Sequence, residues 1–484
     1  TKRSGKPGSL ACIFVHAGAG FHSRANEHHH LLACHDAAKA AMALLNGGGS
    51  AVDAIEIAIK VLENREVTNA GYGSNLTIDG VVECDAVLID HFGRSGGVGA
   101  VSQIKNPITL ARLLLDHTTH TLSLRRVPPN LLVGQGATEF ARENHMMIAQ
   151  MADMVSPTAQ ERWEKWQSDL DKVEAKTKRQ ASKRYATSPL SDDNPRNTFR
   201  PPPGAESIDK VHAKAIQASV WNEGQPASPP PSDEADIRRT MKRDDQSSPR
   251  NHAPCEFESD SSGAPNAGSF GTTSAWSKWN DGPAHSEAEN APEEDDQDSI
   301  TDTVGAIAID MYGNVACGAS SGGIGMKHRG RVGPAALVGI GAAVIPADAG
   351  DPNNTCVATV ISGTGEHMGT TQAASVCSER LYHSKQKTVG GGYADVNDDD
   401  VIAGFIQRDF MNHPSVVHSD SAGAIGVLSI KKCNNGAYLY FGHNTDSFAL
   451  ASMHSNEVRP TCTISRSKGN GVVAQGGRVC RVVR

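Results

Sequence analysis

Asp302-Thr303-Val304-Gly305-Ala306-Ile307-Ala308-Ile309-Asp310, followed by Tyr312-Gly313-Asn314 and then Val315 to Ser320, is the stretch on which the reading of this chain turns. Small and β-branched residues alternate on both sides of a Gly-Asn pair, the pattern of a β-hairpin with one face in a core. Directly ahead lies an acidic run, Glu287, Glu289, Glu293, Glu294, Asp295, Asp296 and Asp298, with no loop between it and the strand. The Asp302–Thr303 bond is therefore a candidate for cleavage. If it is cut, the strand opens on a threonine that carries a hydroxyl nucleophile and a free α-amine. Such an amine titrates at roughly 7.7 to 8.0, close enough to neutrality to serve as a general base for its own Oγ.

The acidic run ends an unusual segment. Ser188 to Ser299 holds 14 of the 24 prolines in 112 residues, including Pro201-Pro202-Pro203 and Pro229-Pro230-Pro231. That composition buries too little apolar surface to offset the entropy of ordering, so a long disordered insertion is expected over about 188–299. Ahead of it, Ala159 to Arg184 is highly charged, with Trp163, Trp166 and Leu170 at near-helical spacing, and predicts a partly packed helix over about 159–184. The rest of the 484-residue chain, at 38% hydrophobic overall, is ample for a sizeable core.

On the N-terminal side, Cys12 to His16 reads as a strand and His16 to Gly20 as a turn. A helix from about Asn26 to Asn46 stops at Gly47-Gly48-Gly49, and Ser50 caps a second helix with Val52, Ile55, Ile59 and Leu62 on one face. Strands at Val81–Ile89 and Gly97–Ser102 and a helix opened by Asn106-Pro107 follow. On the C-terminal side, helices are expected at Glu366–His383 and Asp398–Phe410, and strands at Ala424–Ile430 and Ala437–Gly442 around Asn434-Asn435-Gly436. Strands and helices on both sides of the insertion suit helices layered on both faces of stacked sheets.

Several chemistries are disfavoured. A net charge of −8 argues against direct nucleic-acid binding, which needs surplus basic side chains. No apolar run approaches the roughly 18 to 20 residues of a membrane span, so no membrane partner is expected. Gly18-Ala19-Gly20 lacks the third glycine of a dinucleotide fingerprint and the lysine of a P-loop. His28-His29-His30 point in different directions on a helix and read as surface histidines; neither a metal nor a cofactor is expected. The ten cysteines form no CxxC pair and read as buried or reduced thiols, which favours an intracellular setting.

The pattern from Thr303, with Ser320-Ser321-Gly322-Gly323 and Gly330-Arg331-Val332-Gly333 beyond it, resembles the asparaginase-type N-terminal nucleophile hydrolases. HAGAG at His16–Gly20, TNAGYGSN at Thr68–Asn75, ECDA at Glu83–Ala86, IKNP at Ile104–Pro107 and SGTGE at Ser362–Glu366 extend the likeness across most of the chain outside the insertion. Within that family the likeness is closest to the threonine-aspartase branch, through Asp302 before the nucleophile, KHRGRVG at Lys327–Gly333, RVPP at Arg126–Pro129 and GGRVCR at Gly476–Arg481.

The resemblance implies an α+β fold, a four-layer αββα sandwich, made as a precursor that cuts itself. The expected products are an α subunit, 1–302, and a β subunit, 303–484. It implies Thr303 as nucleophile, Ser321 as the hydroxyl that positions it, and Asn69 as an amide donor. Ser362 and Gly363 become the oxyanion-binding pair and Arg331 the grip on a substrate carboxylate. The small-molecule asparaginases carry an aspartate three residues after that arginine to hold a free α-ammonium, and here the position is Pro334. Its loss suits a polypeptide substrate, cut after an accessible aspartate.

The resemblance also implies that two precursors pair, giving a heterotetramer of cleaved subunits. Basic clusters at Lys176-Thr177-Lys178-Arg179, Lys183-Arg184 and Arg238–Arg243 suggest a nuclear import receptor as partner, with a nuclear and cytoplasmic location. The alternatives are an isoaspartyl peptidase/L-asparaginase and an uncleaved regulatory or scaffold protein.

Overall fold

The computed structural model describes residues 10–186, 303–468 and 471–481. The expected insertion and Asp302 lie outside these residues. Two sheets dominate. The first has eight strands in the order β14-β13-β1-β5-β6-β2-β3-β4. In chain order these are β1 (Cys12–Gly20), β2 (Cys84–Ile89), β3 (Ser95–Val101), β4 (Leu131–Val133), β5 (Val304–Ile309), β6 (Val315–Ser321), β13 (Ser447–His454) and β14 (Thr461–Arg466). The second runs β15-β12-β11-β8-β7. It is built from β7 (Ala342–Ile345), β8 (Cys356–Gly363), β11 (Ile425–Cys433), β12 (Gly436–His443) and β15 (Ala474–Arg481). A two-stranded ribbon, β9 (Lys385–Lys387) with β10 (Tyr393–Asp395), completes the strands.

Helices cover the outer face of each sheet. Over the first lie α1 (Glu27–Asn46), α2 (Ala51–Glu63) and α3 (Pro107–Thr118), with α4 (Gly134–Glu143) beside β3 and α5 (Pro157–Ala186) leading out. Over the second lie α6 (Gly365–Thr371), α7 (Ala373–Tyr382), α8 (Asp398–Gly404) and a short α9 (Pro414–Val417). The layers follow from strand periodicity. In β5, Val304, Ala306 and Ala308 join Ile55, Ile59 and Leu62 of α2 in one core, while the alternate residues Ile307 and Ile309 are buried on the opposite face. Across that inner face the Cys317 Sγ of β6 lies 3.5 Å from the Ala343 oxygen of β7. The second outer core joins Val357, Ile361 and Val427 to Leu381, Phe405 and Phe410. This is the expected αββα sandwich.

Local signals explain the elements read correctly. The Ser50 Oγ accepts the Asp53 amide at 3.2 Å and the Asp53 carboxylate accepts the Ser50 amide at 3.1 Å, a reciprocal cap that starts α2. The β5–β6 hairpin turns at Gly313, φ 78°, with the Asp310 carboxylate accepting the amides of Tyr312 and Asn314.

Four readings are corrected. The expected turn at His16–Gly20 continues β1, because Ala19 and Gly20 pair with Phe448 and Ser447. A bulge after His16, with Gly18 at φ 107°, absorbs the irregularity. The single helix expected at 366–383 breaks at Gln372, φ 51°, and the first amides of α7, on Ala374 and Ser375, bond instead to the carbonyls of Ile340 and Gly339. The helix expected at 398–410 widens into a π-turn over Phe405–Met411, which leaves Phe405, Ile406 and Phe410 all buried. Finally, His28 and His29 are exposed, but His30 is buried in an edge contact with His22, ring centroids 4.4 Å apart.

Candidate active site

Thr303 stands one residue before β5, at the middle of the first sheet, and is 8% exposed. The neighbouring ladders fix its company. Val304 pairs with Ser320, so the register carried one step further sets Thr303 beside Ser321. On the other side Gly305 pairs with His16, which sets Thr303 beside the bulge at Gly18, where no side chain intrudes. From the second sheet, Ser362 near the end of β8 reaches across: its Oγ accepts the Ala19 amide at 3.1 Å. Gly363, next in line, has φ 146° and its missing Cβ would lie 2.2 Å from the Ala424 oxygen, so only glycine fits.

Asn69 arrives on the loop after α2. Its Nδ2 donates to the Gly323 oxygen at 2.8 Å and its Oδ1 accepts the Asn75 amide at 2.9 Å, while its own carbonyl accepts the Gly322 amide at 2.8 Å. Asn69 thus binds its loop to the one that follows Ser321, whose hydroxyl accepts the Gly323 amide at 2.9 Å. One Nδ2 hydrogen is used in this way, and one is left to donate elsewhere.

Arg331 closes the circuit. Cβ atoms added at Gly323, Gly333 and Gly365 would lie 2.7, 2.5 and 2.5 Å from its guanidinium nitrogens, so three glycines form the cradle in which that group lies. The contact with Gly365 joins it to the Ser362-Gly363 end of β8, and the contact with Gly323 joins it to Ser321 and Asn69. All the site residues read from the sequence that the structure describes therefore meet at one end of the sandwich. The guanidinium already holds a carboxylate: Nη2 is 3.0 and 3.1 Å from the two Glu366 oxygens, and Nε is 3.1 Å from Oε1. Arg331 is 14% exposed and Glu366 60% exposed. Pro334 opens a short 3-10 turn against Gly365 and supplies no acid there.

Four buried titratable groups around this cluster were not singled out as site residues. Asp85 pairs with Ser321 in the β2–β6 ladder, and its carboxylate accepts the amides of Ala100 at 2.8 Å and Gly333 at 2.7 Å. Burial raises its pKa, opposed by the nearby charge of Lys327. Lys327 is 3% exposed, donates to the carbonyls of Gly322 and Glu83, and is pushed down by burial, with Asp85 opposing. Glu63, at the end of α2, accepts from the Ser320 Oγ at 2.7 Å and the Ile108 amide at 3.0 Å, and burial pushes its pKa up to about 8. His16 is fully buried and pulled down to about 3 by burial. The Thr303 main chain opposes that shift but lies outside hydrogen-bond geometry, and neither ring nitrogen has a partner among the described residues. ECDA and KHRGRVG contain Asp85 and Lys327, but their proximity depends on the fold.

A family model described as Asparaginase matches residues 9–199 and 263–388. Among curated proteins, an isoaspartyl peptidase/L-asparaginase of Danio rerio is 36% identical over 159 residues, 32% of this chain and 48% of that protein. A plant-type L-asparaginase of Pyrococcus abyssi (strain GE5 / Orsay) is 43% identical over 126 residues, 26% and 36% of the two chains. An isoaspartyl peptidase/L-asparaginase of Mus musculus is 46% identical over 101 residues, 21% and 28%. The matched stretches span under half the length of each of these relatives. The family model, in contrast, matches more than half of the chain, with a part on each side of residues 200–262, and with a threonine just ahead of the central strand of an αββα sandwich, this protein belongs to the asparaginase family of N-terminal nucleophile hydrolases.

Proposed function

We propose that this hydrolase is a threonine endopeptidase that activates itself by cleavage at Asp302–Thr303 and then cuts polypeptides after aspartate. The observation that carries the reading is the position of Thr303, at the head of the central strand and beside Ser321, with the glycine bulge of β1 on its other flank. In activation the Thr303 Oγ adds to the Asp302 carbonyl, the peptide C–N bond breaks, and the nitrogen keeps its proton and gains the one released by the hydroxyl. The resulting ester is hydrolysed by water, leaving an Asp302 carboxylate and a free Thr303 amine. That amine then takes the hydroxyl proton in each attack on substrate. Ser362, Gly363 and the second Asn69 hydrogen are the groups proposed to meet the developing oxyanion. Arg331 is proposed to take the substrate aspartate in the bidentate manner it uses with Glu366.

Pro334 supports a polypeptide substrate, since no acid stands there to hold a free α-ammonium. The second reading, isoaspartyl peptidase/L-asparaginase, is favoured by the names of the relatives. Pairing of two precursors and recognition of the basic clusters by an import receptor belong to the same proposal; Lys176, Lys178 and Arg179 are exposed on α5, and Arg238–Arg243 lies outside the described residues.

Intact mass measurement over time, beside Thr303→Ala, tests activation. Two fragments meeting at Asp302/Thr303 in the native chain alone are expected; one uncut mass in both defeats the claim and favours a scaffold. Incubating the cut protein with Asp-containing polypeptides, L-asparagine and β-aspartyl dipeptides then separates the two activities. Turnover of the small molecules alone overturns the endopeptidase reading.

A further inference from the structure

We propose that the end of the second sheet remote from Thr303 carries a binding site for an organic cation of the alkylammonium type. A cavity of about 590 Å³ opens there, walled by β11, β12, the last residue of α7, the first of α8 and the loop 351–355. It is well separated from the Arg331 cradle. Gly363 pairs with Ile425 at one end of β8 and Cys356 with Lys432 at the other, which sets the two ends about 23 Å apart.

The charges on the wall do not cancel. Asp398 is engaged by the Lys431 ammonium at 3.0 Å, and both groups bond the Ser384 hydroxyl, at 2.7 and 2.8 Å. Asp351 has no cationic partner among the described residues. Its two oxygens accept the backbone amides of Asn353 at 2.9 Å and Thr355 at 2.7 Å, and these bonds hold it below the usual carboxylate range. Among the lining residues one carboxylate is thus left without a neutralising cation. Three tyrosines, Tyr382, Tyr438 and Tyr440, line the same space, with Tyr438 and Tyr440 alternating on one face of β12. Tyr440 is 8% exposed and borders the cavity.

These features select the ligand. An anion would be repelled by Asp351, and an apolar ligand would leave that charge without a counter-ion. A cation on an alkyl chain neutralises Asp351 and finds in the three tyrosine rings the aromatic surface that attracts cations. The cavity lies within the range of about 300 to 1,000 Å³ usual for small-ligand sites. The same chemistry is offered by a free polyamine and by the lysine side chain of a polypeptide. The inference does not depend on which reaction Thr303 performs.

Calorimetric titration of the full chain with spermidine and, separately, with N-acetyl-lysine methylamide tests it. Saturable binding is expected, weakened about tenfold or more by Asp351→Asn and by Tyr438→Leu, with circular dichroism confirming that both variants are folded. Spermidine binding alone identifies a free alkylammonium; binding of both probes identifies a polypeptide lysine. In the unaltered chain, tyrosine ring-proton shifts on adding spermidine give a reading that needs no variant. Absence of saturable binding and of shifts for both probes, or affinity unchanged in both variants, overturns the proposal.

Discussion

The Glu366 carboxylate holds the Arg331 guanidinium by both oxygens, in the side-on bidentate geometry of an arginine–carboxylate pair. Because Glu366 is 60% exposed, solvent screens the pair and the bond is readily exchanged, at a cost of about 0 to 1 kcal/mol. For cleavage after aspartate, Glu366→Gln is expected to lower KM by no more than about fivefold with kcat nearly unchanged. Arg331→Lys, which loses the planar fork, is expected to lower kcat/KM by about 10- to 100-fold. Steady-state kinetics on one Asp-containing peptide checks both. A rise in KM for the Glu366 variant would show that this carboxylate supports the substrate instead of competing with it.

Gly365→Ala puts a methyl group 2.5 Å from the Arg331 Nη2 and 2.8 Å from the Pro334 Cδ. The arginine tip can shift while the proline cannot, so the guanidinium is expected to leave its cradle without the fold being lost. KM should rise several-fold and thermal stability should change little. A large drop in melting temperature would instead mean that Pro334 sets the packing there.

How much of this was legible in the sequence depended on range. The Ser50 cap and the Gly313-Asn314 hairpin turn are legible in the sequence, because the residues that set them, with Asp53 and Asp310, stand at most four apart. SGTGE and KHRGRVG were recognised as motifs, but the meeting of Glu366 with Arg331, 35 residues apart, exists only once the end of β8 packs over the loop after β6. The stretch His16–Gly20 reads as a turn for a physical reason: the positive φ of Gly18 suits a turn and a bulge equally, and only the partner strand β13, more than 400 residues away, decides between them. His30 looked exposed because helical direction alone ignores what lies beside a helix start, here His22.

Gly305→Ala tests the packing behind Thr303. The added Cβ would sit 2.3 Å from the His16 Nε2, in a buried ring that also touches Phe448 at 5.4 Å between centroids. A loss of about 1 to 3 kcal/mol is expected in chemical denaturation. Because the clash is with one side chain, His16→Ala in the same chain should restore part of it, giving a coupling of about 0.5 to 3 kcal/mol in a double-mutant cycle. Strict additivity would exclude that contact as the cause.

Glu63 makes stability depend on pH. Its folded pKa of about 8 lies above the ordinary carboxylate value, so the folded chain retains a proton that the unfolded chain loses. The stabilisation is complete below about pH 4.3 and is lost as pH rises towards 8, by up to about 1.4 kcal/mol per unit. Glu63→Gln should flatten the melting temperature between pH 5 and 8. An unchanged slope would place the titration on another group.

Lys327→Met removes the ammonium that ties Glu83 and Gly322 together beside Asp85. A loss of about 3 to 5 kcal/mol is expected, since the buried Asp85 loses the larger of the two cationic influences on it and keeps only that of Arg331. Adding Asp85→Asn should recover part of it, as read by denaturant titration. No recovery would assign the loss to the two carbonyl contacts alone.

The strand order of the first sheet bears on what a cut in this chain can do. β1 lies between β13 and β5, and β2 lies against β6, so segments from before residue 187 alternate with segments from after residue 302. A single nick between them severs the backbone without freeing either piece, because withdrawing β1 strips hydrogen bonds from strands on both sides of it. The nicked protein should therefore sediment and melt as one particle. Its refolding, once unimolecular, becomes a second-order encounter that slows with dilution, so a protein that re-forms readily before the cut is held after it mainly by the slowness of coming apart.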